Sequence, residues 1–182
     1  MTKTFPLSDV EALYELGVRD FGENRDQEGS VKAPQIPGDA TWHFQGQIQS
    51  NKLKSICQWA DVIHSLDEIR HAKLIDSLSP GKSVLIQISL DSLNENRGGV
   101  APDRLHDFVE ELTTSTQLDL RGFMAVGPPG EAPLSAFSRL RSIVKDFPKY
   151  PVLSAGMSND FVEAISMGAT HLRIGSQILG VR

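Results

Sequence analysis

The sequence contains almost no cysteine, no excess of positive charge and no long apolar run, and each shortage excludes a class of protein. Its single cysteine, Cys57, excludes an internal disulfide, and the apolar helical face around it predicts a buried packing thiol rather than a reactive one. A net charge of −5 argues against a nucleic-acid-binding surface, which would need a basic stripe. No segment has membrane-spanning length or a signal-peptide pattern. We therefore expect a cytoplasmic globular protein that binds neither nucleic acid nor membrane.

Short strand patterns alternate with helical patterns along the whole chain. The clearest strand is residues 83–90, in which Val84, Ile86 and Ile88 line one face. We predict seven further strands, at residues 1–5, 18–21, 41–45, 61–65, 120–126, 152–153 and 172–174. Eight strand–helix units predict an α/β protein with a closed (β/α)8 TIM-type barrel, and a doubly wound sheet is the alternative.

The domain organisation follows from the even composition of the chain. Composition does not shift between the two halves, so we expect residues 1–182 to form one domain. Barrels of this type typically have about 250 residues. The predicted first strand is also short, and no helix precedes it. We therefore expect a barrel that is truncated at its N-terminal end.

Residues 153–180 contain two glycine turns, each at the end of a predicted strand. Gly156 begins the first turn, and Ser158 follows it at the start of a helix. Gly175 and Ser176 form the second turn. Free N–H groups and a helix dipole at such turns favour a phosphate, although two ordinary strand-to-helix turns would give the same pattern. In a barrel, the loops after the seventh and eighth strands are the usual phosphate site.

Two cationic side chains are candidates for contact with a ligand. Lys3 lies on the predicted first strand, where desolvation at the barrel mouth would lower its pKa and favour a Schiff base with a carbonyl. A frayed N-terminal lysine in solvent is the alternative. Arg173 lies between the outward apolar residues Leu172 and Ile174, so we expect it to point inward, where it needs an anion or an acceptor.

The histidines at strand ends give little indication of a metal. His43 and His64 each lie near the end of a predicted strand, but the sequence has no HxH or HExxH spacing there. We therefore expect histidines that form structural hydrogen bonds, and no metal site.

The remaining polar features have ordinary interpretations beside functional ones. Glu23 and Asp26 could act as an acid/base pair, but Arg25 between them favours an ion-pair network. Residues 29–40 read as a loop, either throughout or after a short helical turn. The loop at residues 94–99 is either a lid or a long surface loop. Ser8 with Glu11 has the spacing of a capping box.

Seven segments of this chain resemble, in the same order, those of the pyridoxal phosphate homeostasis proteins. That family consists of single-domain relatives of the N-terminal barrel of alanine racemase. Jointly the segments are highly specific, and they span nearly the whole chain. They are TKTFP (2–6), FGENRDQE (21–28), WHFQGQIQSNK (42–52), HSLD (64–67), RGFMAVG (121–127), SAGMSNDF (154–161) and HLRIGSQILG (171–180).

The resemblance implies a (β/α)8 barrel that holds pyridoxal 5′-phosphate. By motif position, Lys3 would form the internal aldimine and Arg173 would face the nitrogen of the pyridine ring, keeping it unprotonated. Asn24 and His64 would line the pocket near the ring. The phosphate would be held through the backbone and hydroxyl groups of four residues of the two glycine turns: Met157, Ser158, Gly175 and Ser176.

The resemblance also implies a role and two alternatives to it. Members of the family are thought to buffer or deliver the vitamin B6 cofactor without robust catalysis, so pyridoxal-phosphate-dependent apoenzymes become candidate partners, and we expect a monomer. The family normally has an N-terminal segment, which we expect this chain to lack. One alternative is a racemase-like enzyme that uses the cofactor, but racemases take a tyrosine base from a second domain, and the tyrosines here are Tyr14 and Tyr150. The other is a barrel that binds phosphorylated metabolites without pyridoxal phosphate.

Overall fold

The computed structural model describes residues 1–91 and 98–180, which form one parallel sheet surrounded by helices. Each strand pairs in parallel with the next one in chain order, from the first to the seventh. The strands are β1 (Asp20–Glu23), β2 (Thr41–Phe44), β3 (Val62–Leu66), β4 (Ser83–Ile88), β5 (Asp119–Ala125), β6 (Val152–Met157) and β7 (His171–Arg173). The helices are α1 (Leu7–Glu15), α2 (Asp26–Lys32), α3 (Leu53–Trp59), α4 (Ile69–Leu78), α5 (Leu105–Ser115), α6 (Pro133–Val144), α7 (Phe161–Ser166) and α8 (Ser176–Leu179). Within the two described ranges, no helix has the length and apolar character needed to cross a bilayer.

The hydrophobic core lies between the sheet and the helices. Val84 and Ile86 point outward from β4 into this core, and the buried Cys57 of α3 belongs to it as predicted. Burial raises the pKa of the Cys57 thiol, which makes a packing role favourable and a thiolate unfavourable. Leu85 and Met124 are equally buried but lie outside that cluster, because alternate residues of a strand face the barrel interior.

The predicted first strand is wrong as a strand, although the barrel is confirmed. The nitrogen of Met1 donates to the carbonyl of Ile174 at 2.7 Å, and the Thr2 N–H donates to the carbonyl of Gly22 at 2.9 Å. These two residues therefore connect the end of β7 to β1, where an eighth strand would lie. A turn follows at once, because Thr4 has φ of 68° and its N–H bonds to Glu28 instead of continuing a ladder.

The region predicted as a loop at residues 29–40 begins with part of a helix. Helix α2 runs to Lys32, and a single 3-10 turn follows at Ala33–Gln35. Gly29 lies so close to Trp59 that a Cβ atom there would be 2.3 Å from the indole ring. This close packing against α3 outweighs the poor helix propensity of glycine.

One further sequence-based prediction can be compared with the structure. The capping box is wrong, because α1 begins at Leu7, ahead of Ser8, and has no side-chain cap. The loop at residues 94–99 is predicted to be a lid or a surface loop. Residues 94–97 of this loop lie outside the described residues.

Candidate functional site

The two glycine turns come together at the carboxyl ends of β6 and β7, as the sequence predicts. Ser158 is buried, and its Oγ accepts a long hydrogen bond from the Gly175 N–H at 3.4 Å. The carbonyl of Ser158 accepts a second bond from Gln177 Nε2 at 2.5 Å. Ser176 is exposed at the first position of α8. The hydroxyls of two serines and the backbone N–H groups between them therefore converge on one rim of the barrel.

Met157 differs from the other turn residues because its backbone donor is already used. Its N–H donates to Oδ1 of Asp160 at 2.5 Å, and its side chain is 40% exposed. This bond closes the turn that leads into α7. The Gly175 N–H contacts Ser158 Oγ at 3.4 Å, so the hydroxyls of Ser158 and Ser176 are the side-chain donors at this rim.

Arg173 points into the barrel, which confirms the predicted orientation. Its Nη1 donates to the carbonyl and the Oγ of Ser154, at 2.8 and 3.0 Å, and its Nη2 donates to the carbonyl of Ala125 at 2.8 Å. A guanidinium has five N–H donors, so these three bonds leave two donors without a partner in the described part of the chain. Burial lowers the pKa of Arg173 to about 10, which still leaves the side chain cationic at neutral pH.

A cavity of about 280 Å³ opens beside Arg173, between β1 and β7. Met1, Gly22 and Gln45 line it, together with the imidazoles of His43, His64 and His171. A second cavity, of about 240 Å³, lies at the carboxyl ends of β2–β5. Gln45 lines both cavities, so they adjoin at this residue.

His43 and His64 form structural hydrogen bonds, as the sequence predicts, and one of these bonds joins the two rings. His43 Nδ1 lies 2.8 Å from His64 Nε2, and both rings are buried. Burial is the main reason that the pKa of His64 is well below its ordinary value, with further lowering by His43 and Arg173. Both imidazoles lie inside the barrel beside the 280 Å³ cavity.

Lys3 and Asn24 lie near the same end of the barrel. Because Thr2 pairs with Gly22, Lys3 is level with the carboxyl end of β1, where its side chain is exposed. Asn24 follows β1 directly and is half-buried. Its carbonyl packs so closely on Gly46 that a Cβ atom there would lie 2.0 Å away.

A buried ion pair anchors the segment that carries Lys3, and the sequence reading missed it. Glu23 is fully buried, and its Oε1 accepts from Lys32 Nζ at 2.8 Å and from the Thr2 hydroxyl at 2.7 Å. Lys32 Nζ also donates to the carbonyl of Thr2 at 2.9 Å. Burial nevertheless raises the pKa of Glu23. Lysine is rarely buried, so the sequence contains no clear signal for this role.

The predicted network among Glu23, Arg25 and Asp26 is wrong in its pairing. Arg25 lies 3.6 Å from the carboxylate of Glu28 on the surface, and Asp26 accepts a bond from the Trp59 indole N–H at 3.0 Å. The reason is geometric, because Glu23 points outward from β1 toward α2 and away from the turn that follows the strand.

One other group of ligand-type side chains lies close together. Asp67, Glu68 and His71 have polar atoms within 4.8 Å of one another. However, the Glu68 carboxylate already binds the Arg70 guanidinium, and the Asp67 carboxylate accepts from the Gly99 N–H at 2.9 Å. The group also lies at the start of α4, where the helix dipole disfavours a cation.

Comparison with known proteins identifies close relatives over the whole chain. The family model for the N-terminal domain of alanine racemase matches residues 7–182. A pyridoxal phosphate homeostasis protein of Corynebacterium glutamicum is 37% identical, over all of this chain and 88% of its own length. A protein of the same name from Pseudomonas aeruginosa is 35% identical, over all of this chain and 83% of its own length.

Solved structures have the same architecture. PipY of Synechococcus elongatus with pyridoxal phosphate bound superposes with a TM-score of 0.87 and 31% identity, over 98% of this chain and 90% of PipY. The structure of PipY without the cofactor gives a TM-score of 0.88 and 29% identity over the same shares. Alanine racemase of Corynebacterium glutamicum has a TM-score of 0.74 at 15% identity, over all of this chain and 54% of the enzyme, which is a likeness of fold alone.

Proposed function

The chain belongs to the family of the alanine racemase N-terminal domain, and from this premise we propose that it binds pyridoxal 5′-phosphate and serves vitamin B6 homeostasis without robust catalysis. One observation carries the proposal. The same end of the barrel has a rim of serine hydroxyls and backbone donors, a buried cation beside a cavity, and an exposed amine. Relatives named for this role, and a related barrel with the cofactor bound, support the assignment.

The donor set is suited to the two polar parts of the cofactor. Ser158, Gly175 and Ser176 offer hydroxyl and N–H donors at the start of a helix, a combination that favours a phosphate. Arg173 offers the two N–H donors that it does not use within the barrel, and a pyridine nitrogen is a suitable acceptor for one of them. Asn24 and His64 are assigned to the ring pocket, and Met157 to the rim of the phosphate site, where its N–H is bonded to Asp160.

Lys3 is assigned the covalent contact. Pyridoxal phosphate supplies an aldehyde that condenses with a lysine amine. The Lys3 side chain is exposed at the carboxyl end of β1, where a ligand can reach its amine, and the Glu23–Lys32 pair holds the backbone of the neighbouring Thr2. An arginine opposite the ring nitrogen stabilises the unprotonated ring, which withdraws electrons less strongly than a protonated one. This is the main argument for binding without robust catalysis.

The side chains of the two tyrosines give no support to a racemase. Tyr14 Oη donates to Oδ1 of Asp39 at 2.5 Å, and this bond raises the pKa of Tyr14, so its hydroxyl is a poor base at neutral pH. Tyr150 packs against Phe123. Incubation of the pure, cofactor-loaded protein with L-alanine should leave the enantiomer unchanged, as measured by chiral chromatography. Clear formation of D-alanine would overturn the non-catalytic assignment.

The absorption spectrum tests the proposal directly. Addition of pyridoxal phosphate should give a yellow protein, and borohydride followed by peptide mass spectrometry should find the label on Lys3. Lys3→Ala should abolish the reducible adduct, whereas Lys54→Ala, which removes an exposed lysine of α3, should retain it. An adduct that survives Lys3→Ala would overturn the Lys3 assignment, and a colourless unaltered protein would overturn cofactor binding.

The acceptor of the cofactor is a separate part of the proposal. If the protein delivers its cofactor, mixing the loaded protein with a pyridoxal-phosphate-dependent apoenzyme should restore that enzyme's activity faster than the spontaneous release of cofactor allows. Equal rates would indicate storage rather than delivery.

A further inference from the structure

A continuous series of hydrogen bonds crosses the barrel interior from Asp20 to Arg173. Asp20 Oδ1 lies 3.0 Å from His43 Nε2, and His43 Nδ1 lies 2.8 Å from His64 Nε2. His64 Nδ1 lies 3.1 Å from Ser154 Oγ, which accepts from Arg173 Nη1 at 3.0 Å. These residues come from β1, β2, β3, β6 and β7, so the series connects distant parts of the sheet.

The two ends of the series determine the direction of every bond. A guanidinium only donates, so Ser154 Oγ is an acceptor toward Arg173 and has its one hydrogen left for His64 Nδ1. A carboxylate only accepts, so His43 presents Nε2–H to Asp20. Neutral rings then require that His64 donates from Nε2 to His43 Nδ1. Each bond therefore has its donor on the Arg173 side.

A protonated His43 would donate from both ring nitrogens and would reverse the two inner bonds, those between His43 and His64 and between His64 and Ser154. The direction of these bonds is therefore a property that an experiment can test.

We propose that Ser154, His64 and His43 are positioning residues that orient the Arg173 guanidinium toward the ligand at the barrel mouth. Because the Ser154 hydrogen is donated to His64, the lone pairs of Ser154 Oγ remain available to Nη1. The carbonyls of Ser154 and Ala125 accept from the same guanidinium. Nε–H and one N–H of Nη2 are then the donors left for a ligand. The identity of the ligand group that they meet, a ring nitrogen, rests on the proposed function.

We call the series of hydrogen bonds from Arg173 to Asp20 the relay. The direction of its bonds can be measured without any cofactor. Nitrogen-15 NMR of the unloaded protein at pH 7 should show neutral His64 and His43, each with its proton on Nε2. In Ser154→Ala, the Nδ1 resonance of His64 should shift because its donor is lost, and the Arg173 Nε–H should exchange faster with water. A proton on His64 Nδ1, or a charged His43, would overturn the relay.

A matched pair of buried serines tests the effect on the ligand. Ser154→Ala should raise the Kd for pyridoxal phosphate about tenfold, the loss expected when a charged group loses one hydrogen bond. Ser65→Ala is the control, because Ser65 is equally buried and its hydroxyl has no partner in the described residues. Its Kd should be unchanged. Equal Kd values for both variants, each confirmed as folded by circular dichroism, would overturn the positioning role.

The two measurements separate the inference from the proposed function. If the unaltered protein does not bind pyridoxal phosphate, the proposed function and the ligand contact of Arg173 are both overturned. The NMR measurement still tests the direction of the relay in that case. If the cofactor binds but His64 has the other tautomer, the relay alone is overturned.

Discussion

His64 is buried as a neutral side chain, and this makes the stability of the barrel sensitive to mild acid. Its pKa in the folded protein is well below its ordinary value because of burial, followed by the nearby His43 and Arg173. In the unfolded chain the imidazole returns to a pKa of about 6.5. As the pH falls below that value, the unfolded chain binds the proton first. The contribution of His64 to stability is therefore complete above this pH and is lost progressively below it.

We predict that the unaltered protein loses about 1 kcal/mol of unfolding free energy from this group between pH 7 and pH 5.5. His64→Gln should show a smaller loss over the same interval, whatever its stability at pH 7. Urea unfolding at both pH values measures the difference. The acid loss should decrease without disappearing, because burial also lowers the pKa of His171. His106→Gln, which removes an exposed histidine of α5, is the control, and an equal loss in both variants would contradict the role of His64.

Gly46 shows how a single missing Cβ atom shapes the mouth of the barrel. A Cβ atom there would lie 2.0 Å from the carbonyl oxygen of Asn24, which is backbone and cannot move alone. Gly46→Ala should therefore destabilise the protein by about 1–3 kcal/mol, the usual cost of overpacking, and should weaken cofactor binding by displacing Asn24. Gly38→Ala is the control, because a Cβ atom at Gly38 has nothing within 4 Å. Urea unfolding compares the two, and equal stabilities would contradict the close contact.

At the scale of elements, the sequence predicts strands and side-chain directions correctly where a local pattern determines them. The alternation in residues 83–90 predicts β4, and the apolar neighbours of Arg173 predict that this side chain points inward. Both conclusions need only the period of a strand and the cost of burying charge. Gly156 has φ of 88°, a conformation that glycine adopts readily, but it lies within β6, and the predicted turn comes later, at residues 158–160.

The sequence reading fails where long-range contacts decide the structure. Helix α2 exists because Gly29 packs on Trp59, thirty positions later in the chain, and no local pattern shows that contact. The relay joins His64 to Ser154 across 90 positions and depends on which strands are neighbours. The first strand is absent because Thr4 has a left-handed conformation and its N–H bonds to Glu28, so the pairing of Thr2 with Gly22 does not continue as a ladder. The roles assigned to the individual site residues stay predictions.

The Glu23–Lys32 pair connects β1 to α2 and also binds Thr2, so its loss should affect both the stability of the fold and the position of Lys3. Lys32→Met leaves a buried carboxylate without its cation, which we expect to cost about 3–5 kcal/mol. It also releases the Thr2 carbonyl, so borohydride labelling of Lys3 should become slower. Lys73→Met is the control, because the Lys73–Glu111 pair is half-exposed at 3.1 Å and should contribute no more than about 1 kcal/mol.

A double variant separates the cost of an unpaired buried charge from the loss of the bond to Thr2. Adding Glu23→Gln to Lys32→Met removes the uncompensated charge, so urea unfolding should show recovery of part of the lost stability. Labelling of Lys3 should stay slow, because the bond from Lys32 to Thr2 is still missing. A Lys32→Met protein as stable as Lys73→Met would contradict the anchoring role.

At the scale of the whole molecule, the residues assigned to the cofactor come from both ends of the chain. Lys3 lies at one end, and Ser158, Arg173 and Ser176 lie near the other. The bonds from Met1 to Ile174 and from Thr2 to Gly22 are what join these ends across the sheet. A ligand that contacts Lys3 and the phosphate rim at once would bind the closed barrel and not the unfolded chain. Its binding should therefore stabilise the whole domain cooperatively.

We expect pyridoxal phosphate at about 100 times its Kd to add about 2.7 kcal/mol to the free energy of unfolding, and so to raise Tm by about 5–10 °C. Pyridoxine 5′-phosphate has an alcohol in place of the aldehyde, so it occupies the phosphate rim but cannot react with Lys3, and its shift at the same concentration should be smaller. Lys3→Ala should make the two ligands equivalent in differential scanning calorimetry. If inorganic phosphate alone produced the full shift, the phosphate rim would account for all of the binding, and the barrel would be one that takes phosphorylated metabolites in general.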